Sequence, residues 1–96
     1  MSIENGSNFR EIKGTVASMR LDALVGLGFG ISRSKAAYKI KAGQVQVDGE
    51  TVLNTAARVD ENGQIEIPGQ GTLVVEEIGG ISRKGRQNLT LKKYYE

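Results

Sequence analysis

Residues 32–49 read SRSKAAYKIKAGQVQVDG, and the period of the apolar positions changes inside them. Over the first eleven, Ala36, Ala37 and Ile40 fall on one side of a helix, with Ser32 or Ser34 as its cap and Gly43 in the stop position. From Gln44 to Val47 the alternation becomes that of a strand, Asp48-Gly49 makes a two-residue hairpin turn, and Glu50 to Leu53 returns. A basic helix running directly into a β-hairpin is the element around which the rest is placed.

Upstream, Met19, Leu21, Leu24 and Val25 recur at near-helical spacing, with Ser18 as a cap and Asp22 in the favourable first turns. Gly26, Gly28 and Gly30 are expected to stop this helix. They spell GLGFG, which misses the GxGxxG dinucleotide spacing and follows a helix instead of a strand, so they read as a helix end and tight corner. Residues 1–17 read as a tail or linker: Met1 to Asn8 is polar and aperiodic, and Phe9 to Val16 has strand character that Gly14 weakens. Downstream, Gln64 to Ile67 is a short strand, and Thr72 to Ile78 and Asn88 to Tyr95 are longer ones. Between these two, Gly79 to Gln87 (GGISRKGRQ) reads as a mobile basic tip. The order is that of an α+β fold, two N-terminal helices packed on one side of a small antiparallel sheet. A single domain is expected over residues 18–96, its core at 19–67 and a C-terminal β-hairpin extension at 72–95.

The chain has 96 residues and contains neither Cys nor His. Their absence removes disulfides, thiol nucleophiles, imidazole bases and the usual nitrogen or sulfur zinc ligands, so no catalytic residue, metal site or cofactor is expected. The apolar stretches are short and broken by glycine, far from the roughly 20 residues of a membrane span. A reducing, aqueous compartment follows as the default. Net charge is only +2, but it is unevenly spread. Residues 1–47 carry +4, residues 48–79 carry −6, and residues 80–96 carry +4. Two basic blocks around an acidic one can give a small fold one positive face, as nucleic-acid binders have; ordinary surface charge is the plainer alternative.

The chemistry is concentrated where the second helix starts. That end carries free N–H groups and the positive pole of the macrodipole, so acids stabilise it, yet this helix places Arg33 and Lys35 there. The mismatch costs up to about 1 kcal/mol in the free protein and makes a ready site for a phosphate oxygen. Lys39 follows Lys35 by four residues on the same face, and Arg20 and Lys41 extend the stripe if the helices pack side by side. The competing explanation is that these cations solubilise the helix while their stems cover apolar surface.

Taken in order, Arg20-Leu21-Asp22, Ser32-Arg33-Ser34-Lys35-Ala36 and Ile40 to Gly49 (IKAGQVQVDG) resemble the S4 RNA-binding domain. TVASMRLDALVG before them and GTLVVEEIGGISRKGRQNLTLKKYY after them are similar to the C-terminal module of YlmH-like proteins, a group that includes photosystem II S4-domain proteins. The resemblance implies a strongly twisted sheet and the alpha-L motif. It implies a module that docks on structured RNA, ribosomal or transfer, with the ribosome as a candidate partner. Arg20, Arg33, Ser34, Lys35, Lys39 and Lys41 would line the RNA surface, and Asp22 would orient a neighbouring arginine. Arg83, Lys84 and Arg86 of the basic tip are expected to add an auxiliary contact. A monomer in the cytoplasm is expected, or in the plastid stroma of a plastid-bearing source, and the resemblance implies a parent protein with further N-terminal domains. The hairpin turn has Asp48 where the family commonly has Asn, which leaves the turn intact and removes any amide contact there.

Three rivals remain open at this point. The acidic block around Glu76 and Glu77 suits a protein-protein adaptor with a basic partner. An enzyme would have to draw on Asp22, Asp48, Glu50, Asp60, Glu61 and Lys35, several of which sit in turn-like contexts. DNA satisfies phosphate recognition as well as RNA does.

Overall fold

A computed structural model describes residues 9–95. The expected polar tail at Met1 to Asn8 lies outside them. In chain order the elements are β1 (Phe9–Val16), α1 (Leu21–Phe29), α2 (Arg33–Lys41), β2 (Gln46–Val47), β3 (Glu50–Thr51), β4 (Gln64–Ile67), β5 (Gly71–Ile81) and β6 (Gln87–Tyr94). Among the described residues the strands form one antiparallel sheet in the order β1-β6-β5-β4-β2-β3. The two helices pack against it, giving the α+β arrangement expected.

The core lies between helices and sheet. Leu21, Leu24 and Val25 of α1, Ala36 and Ile40 of α2, and Val45, Ile65, Leu73, Val75 and Leu91 are fully buried. Along β5 and β6 the buried residues alternate, Leu73 and Val75 on one strand and Leu89 and Leu91 on the other, with Val75 opposite Leu91, as a sheet with one covered face requires. Bulges after Val75 and after Ile78 bend β5 across its partner and increase the local twist. The Asp48-Gly49 turn has φ of 50° and 87°, the two positive values that a tight hairpin turn of matching twist needs.

Four local expectations are corrected. First, Phe9–Val16 is no part of a linker: it pairs with β6 along its whole length, from Phe9 opposite Tyr94 to Val16 opposite Gln87. Gly14, which weakened the strand signal, lies against the Leu27 methyls of α1, where a side chain would crowd the helix. Second, α1 does not end at Gly26; it continues to Phe29 and closes at Gly30, whose φ is 67°. Gly26 and Gly28 are there for close approach. A Cβ at Gly28 would overlap the Leu73 methyls, and one at Gly26 would lie 3.1 Å from the Ile31 carbonyl oxygen. Third, Ser18 does not cap α1. The first N–H groups of the helix donate instead to the loop that follows β3, Leu21 to the Ala57 carbonyl at 2.8 Å and Asp22 to the Thr55 carbonyl at 3.1 Å. Fourth, Gly79 to Gln87 is not one long loop. Strand β5 runs on to Ile81, and the turn is the short segment Ser82 to Arg86, closed by the Ser82 N–H on the Arg86 carbonyl at 2.7 Å and the Gly85 N–H on the Ser82 carbonyl at 2.9 Å.

Among the described residues no helix is long and apolar enough to cross a membrane.

Candidate nucleic-acid interface

Helix α2 starts at Ser32, whose Oγ accepts the Lys35 N–H at 3.1 Å, so Ser32 and not Ser34 is the cap. One turn of the helix is anchored by this bond, and the first turn contains no acid. Ser34 and Lys35 are exposed in that turn, and Lys39 is half-buried one turn further on.

Asp22 explains one of the two cations at this end. Its carboxylate is buried, 7% exposed at the side chain, and lies between two arginines. Arg20 donates Nε at 3.2 Å and Nη2 at 3.0 Å, while Arg33 donates Nη2 to both oxygens at 3.2 Å. The carboxylate therefore joins the residue before α1 to the first residue of α2 and aims both guanidinium groups. Burial alone would raise the Asp22 carboxyl, but hydrogen bonds from Arg20 and Arg33, with their charges, outweigh it and hold it below the ordinary carboxylate range. The arginines keep 41% and 55% of their side chains in solvent, and the trio carries a net charge of +1. A depressed carboxyl stabilises the fold at pH above its unfolded value and loses that contribution as pH falls through the folded one. Stability should thus be flat near neutrality and decline below about pH 4, which thermal melts over a pH series would show.

Lys35 has no such account. Among the described residues it is in no ion pair. The dipole of α2 favours Lys39 and Lys41 in the last turn but opposes Lys35 in the first. A cation held exposed against the local field, four residues before another, is the feature of this surface that the fold itself does not call for.

The structure does not gather every expected residue into one stripe. Successive helical residues turn by about 100°, so residues two apart lie about 200° from each other. Lys35 and Lys39 share one flank of α2; Lys41 falls on the other, with Ser34 and the exposed ring of Tyr38. Arg33 turns back towards α1 through Asp22. What meets at the start of α2 is the Arg20–Asp22–Arg33 trio on the α1 side and the Lys35–Lys39 row on the far side. A polyanion crossing that end of the helix encounters both.

The hairpin turn supplies Arg83 and Lys84, both exposed and in no ion pair among the described residues. Arg86 is already engaged, donating Nε to Thr15 Oγ1 at 3.0 Å and Nη2 to the Thr15 carbonyl at 3.2 Å. It ties the turn to the end of β1, only a few residues before Arg20. Sequence reasoning grouped Arg86 with the free cations because nothing local announces a partner 71 positions away.

Most candidate acids of an enzymatic reading have structural tasks. Asp48 accepts the Gln64 N–H at 3.0 Å, Asp60 pairs with Arg58 at 2.7 Å, and Glu61 accepts the Ile78 N–H at 2.9 Å. Among the described residues no group of three His, Cys, Asp or Glu could hold a metal.

Comparison with known proteins places this surface in context. The family model of the S4 domain matches residues 19–65, the stretch from the residue before Arg20 through the helices and the β2–β3 hairpin into β4. Among solved structures, the crystal structure of a pseudouridylate synthase superposes with a TM-score of 0.55 at 27% sequence identity. The match covers 64% of this chain and 26% of that one, so the likeness spans about a quarter of the length of the synthase chain. No curated protein matches.

Proposed function

We propose that this chain is an RNA-binding module, not an enzyme, that holds folded RNA by its phosphate backbone and shape across the start of α2. The observation that carries the reading is Lys35, exposed at a helix N-terminus, in no ion pair among the described residues, and across the start of α2 from two arginines that a buried carboxylate has already aimed. The S4 match over residues 19–65 supports it, because the residues matched include Arg20, Arg33, Ser34, Lys35, Lys39 and Lys41. The synthase likeness over a quarter of a longer chain suits a module that delivers RNA to other domains. Phosphate and shape recognition fits better than base reading on α2, where Tyr38 is the only aromatic. The finer reading is a monomeric module of a cytoplasmic, YlmH-like protein acting on ribosomal or transfer RNA.

Gel-shift titration of a folded ribosomal or transfer RNA fragment beside duplex DNA of equal length tests this. Tighter binding of the RNA is expected; equal binding would remove the assignment to RNA, and no binding of either would favour a protein partner. Replacing Arg83 and Lys84 together by glutamine should weaken RNA binding severalfold and lower the salt slope by about 1 to 2, at 0.7 to 0.9 per contact. An unchanged slope would take the turn out of the interface.

A further inference from the structure

At the far end of α1 from Arg20, the sheet carries a second surface that the start of α2 does not need. Arg10 of β1 and Lys93 of β6 are direct cross-strand partners, an arrangement of like charges that destabilises a sheet. Neither is in an ion pair among the described residues. Lys93 Nζ lies 4.8 Å from the centroid of the Phe29 ring and 5.0 Å from that of Tyr95. The neighbouring Lys92, by contrast, is tied to Glu76 at 2.8 Å. Arg10, Lys93, Phe29 and Tyr95, with the Gly28 and Gly30 ends of α1, line a cleft of about 200 Å³ that no acid among the described residues lines. Tyr95 keeps 47% of its surface in solvent. These residues lie outside the 19–65 match except for the α1 end.

A larger depression of about 430 Å³ around Lys13, Thr15, Asn88 and Thr90 includes Glu77 and no aromatic ring, so neither charge nor stacking recommends it for a polyanion. The smaller cleft has both. Two cations with no ion-pair partner among the described residues suit a phosphate, and an exposed ring beside them suits the flat face of a base, the pairing by which single strands are held without regard to sequence. We propose that this cleft takes an unpaired nucleotide of the bound RNA, its base on Tyr95 and its phosphate facing Arg10 and Lys93. The proposal rests on the RNA-binding reading above and adds to it a preference for a single-stranded extension beside the folded part. The Gly30 end of the cleft is about 12 Å along α1 from Asp22, at 1.5 Å per residue, so an extension of several nucleotides is needed to run from the clamp to it.

The test uses the full chain and one RNA hairpin prepared blunt and with a single-stranded extension of several nucleotides, read by fluorescence anisotropy. The wild type should bind the extended form roughly five- to a hundredfold more tightly, the range one stacked base supplies. Tyr95→Ala and the pair Arg10→Gln with Lys93→Gln should lose that preference while binding the blunt hairpin as the wild type does, and Tyr95→Phe should keep it. No preference in the wild type, or a preference that survives Tyr95→Ala, overturns the proposal. If the blunt hairpin is not bound at all, the reading of α2 falls. The cleft is then judged on the labelled extension alone as a short oligonucleotide: binding that Tyr95→Ala weakens upholds it, and no binding overturns it.

Discussion

Replacing Lys35 and Lys39 together by glutamate is expected to weaken binding of folded RNA by about a hundredfold or more and to leave the melting temperature nearly unchanged. Each reversal exchanges an attraction of roughly 1 kcal/mol at contact distance in water for a repulsion of similar size, before salt screening reduces both. The fold has little stake in the pair, since neither lysine is in an ion pair among the described residues and the dipole of α2, which favours Lys39, opposes Lys35 by a similar amount. Glutamate at position 35 would even suit the positive end of α2, by a few tenths of a kcal/mol. Binding and stability should therefore separate, a gel-shift titration showing the loss and a melt followed by circular dichroism showing none. Wild-type affinity in this variant would take the lysine row out of the interface.

Asp22→Asn should do the opposite, costing stability first. The amide cannot hold two guanidinium groups as the carboxylate does, and the buried position leaves it short of partners, a loss of about 1 to 3 kcal/mol. For a domain of this size that corresponds to a fall in melting temperature of roughly 5–15 °C. The decline in stability below about pH 4 should flatten at the same time, because the group that titrates there has gone. A melting temperature within a degree or two of wild type, with the acid limb intact, would show that the two arginines hold α1 against α2 without it.

What could be read from the residues was local, and what could not was long-range. The α2 helix and the β2–β3 hairpin announce themselves within residues 32–49, where cap, apolar period and Asp-Gly turn agree, and the structure has all three. Asp22 as the aligner of an arginine, implied by the family resemblance and not by the residues themselves, is found too, serving Arg20 and Arg33 at once. The misreadings share one cause. Gly14, Gly26 and Gly28 look like breakers in isolation and are contact points in the fold, the first two against Leu27 and Ile31, the last against Leu73. Strand β1 depends on a partner more than seventy residues away, and the start of α1 on carbonyls at Thr55 and Ala57, neither of which leaves a trace in nearby sequence. The same holds for Arg86, a free cation by its neighbours and a brace on Thr15 by its geometry. The cleft at Arg10 and Lys93 was invisible for that reason, since only strand pairing sets those two side by side.

The salt dependence of RNA affinity bears most directly on whether these cations meet phosphate. Dissociation constants for one folded RNA, measured between about 50 and 200 mM salt, should give a log-log slope of roughly −3 to −5, corresponding to about four to six phosphate contacts. The Lys35→Glu, Lys39→Glu variant should show a slope shallower by about 1 to 2. A wild-type slope near zero, or the same slope in both proteins, would mean that the start of α2 does not grip a phosphate backbone.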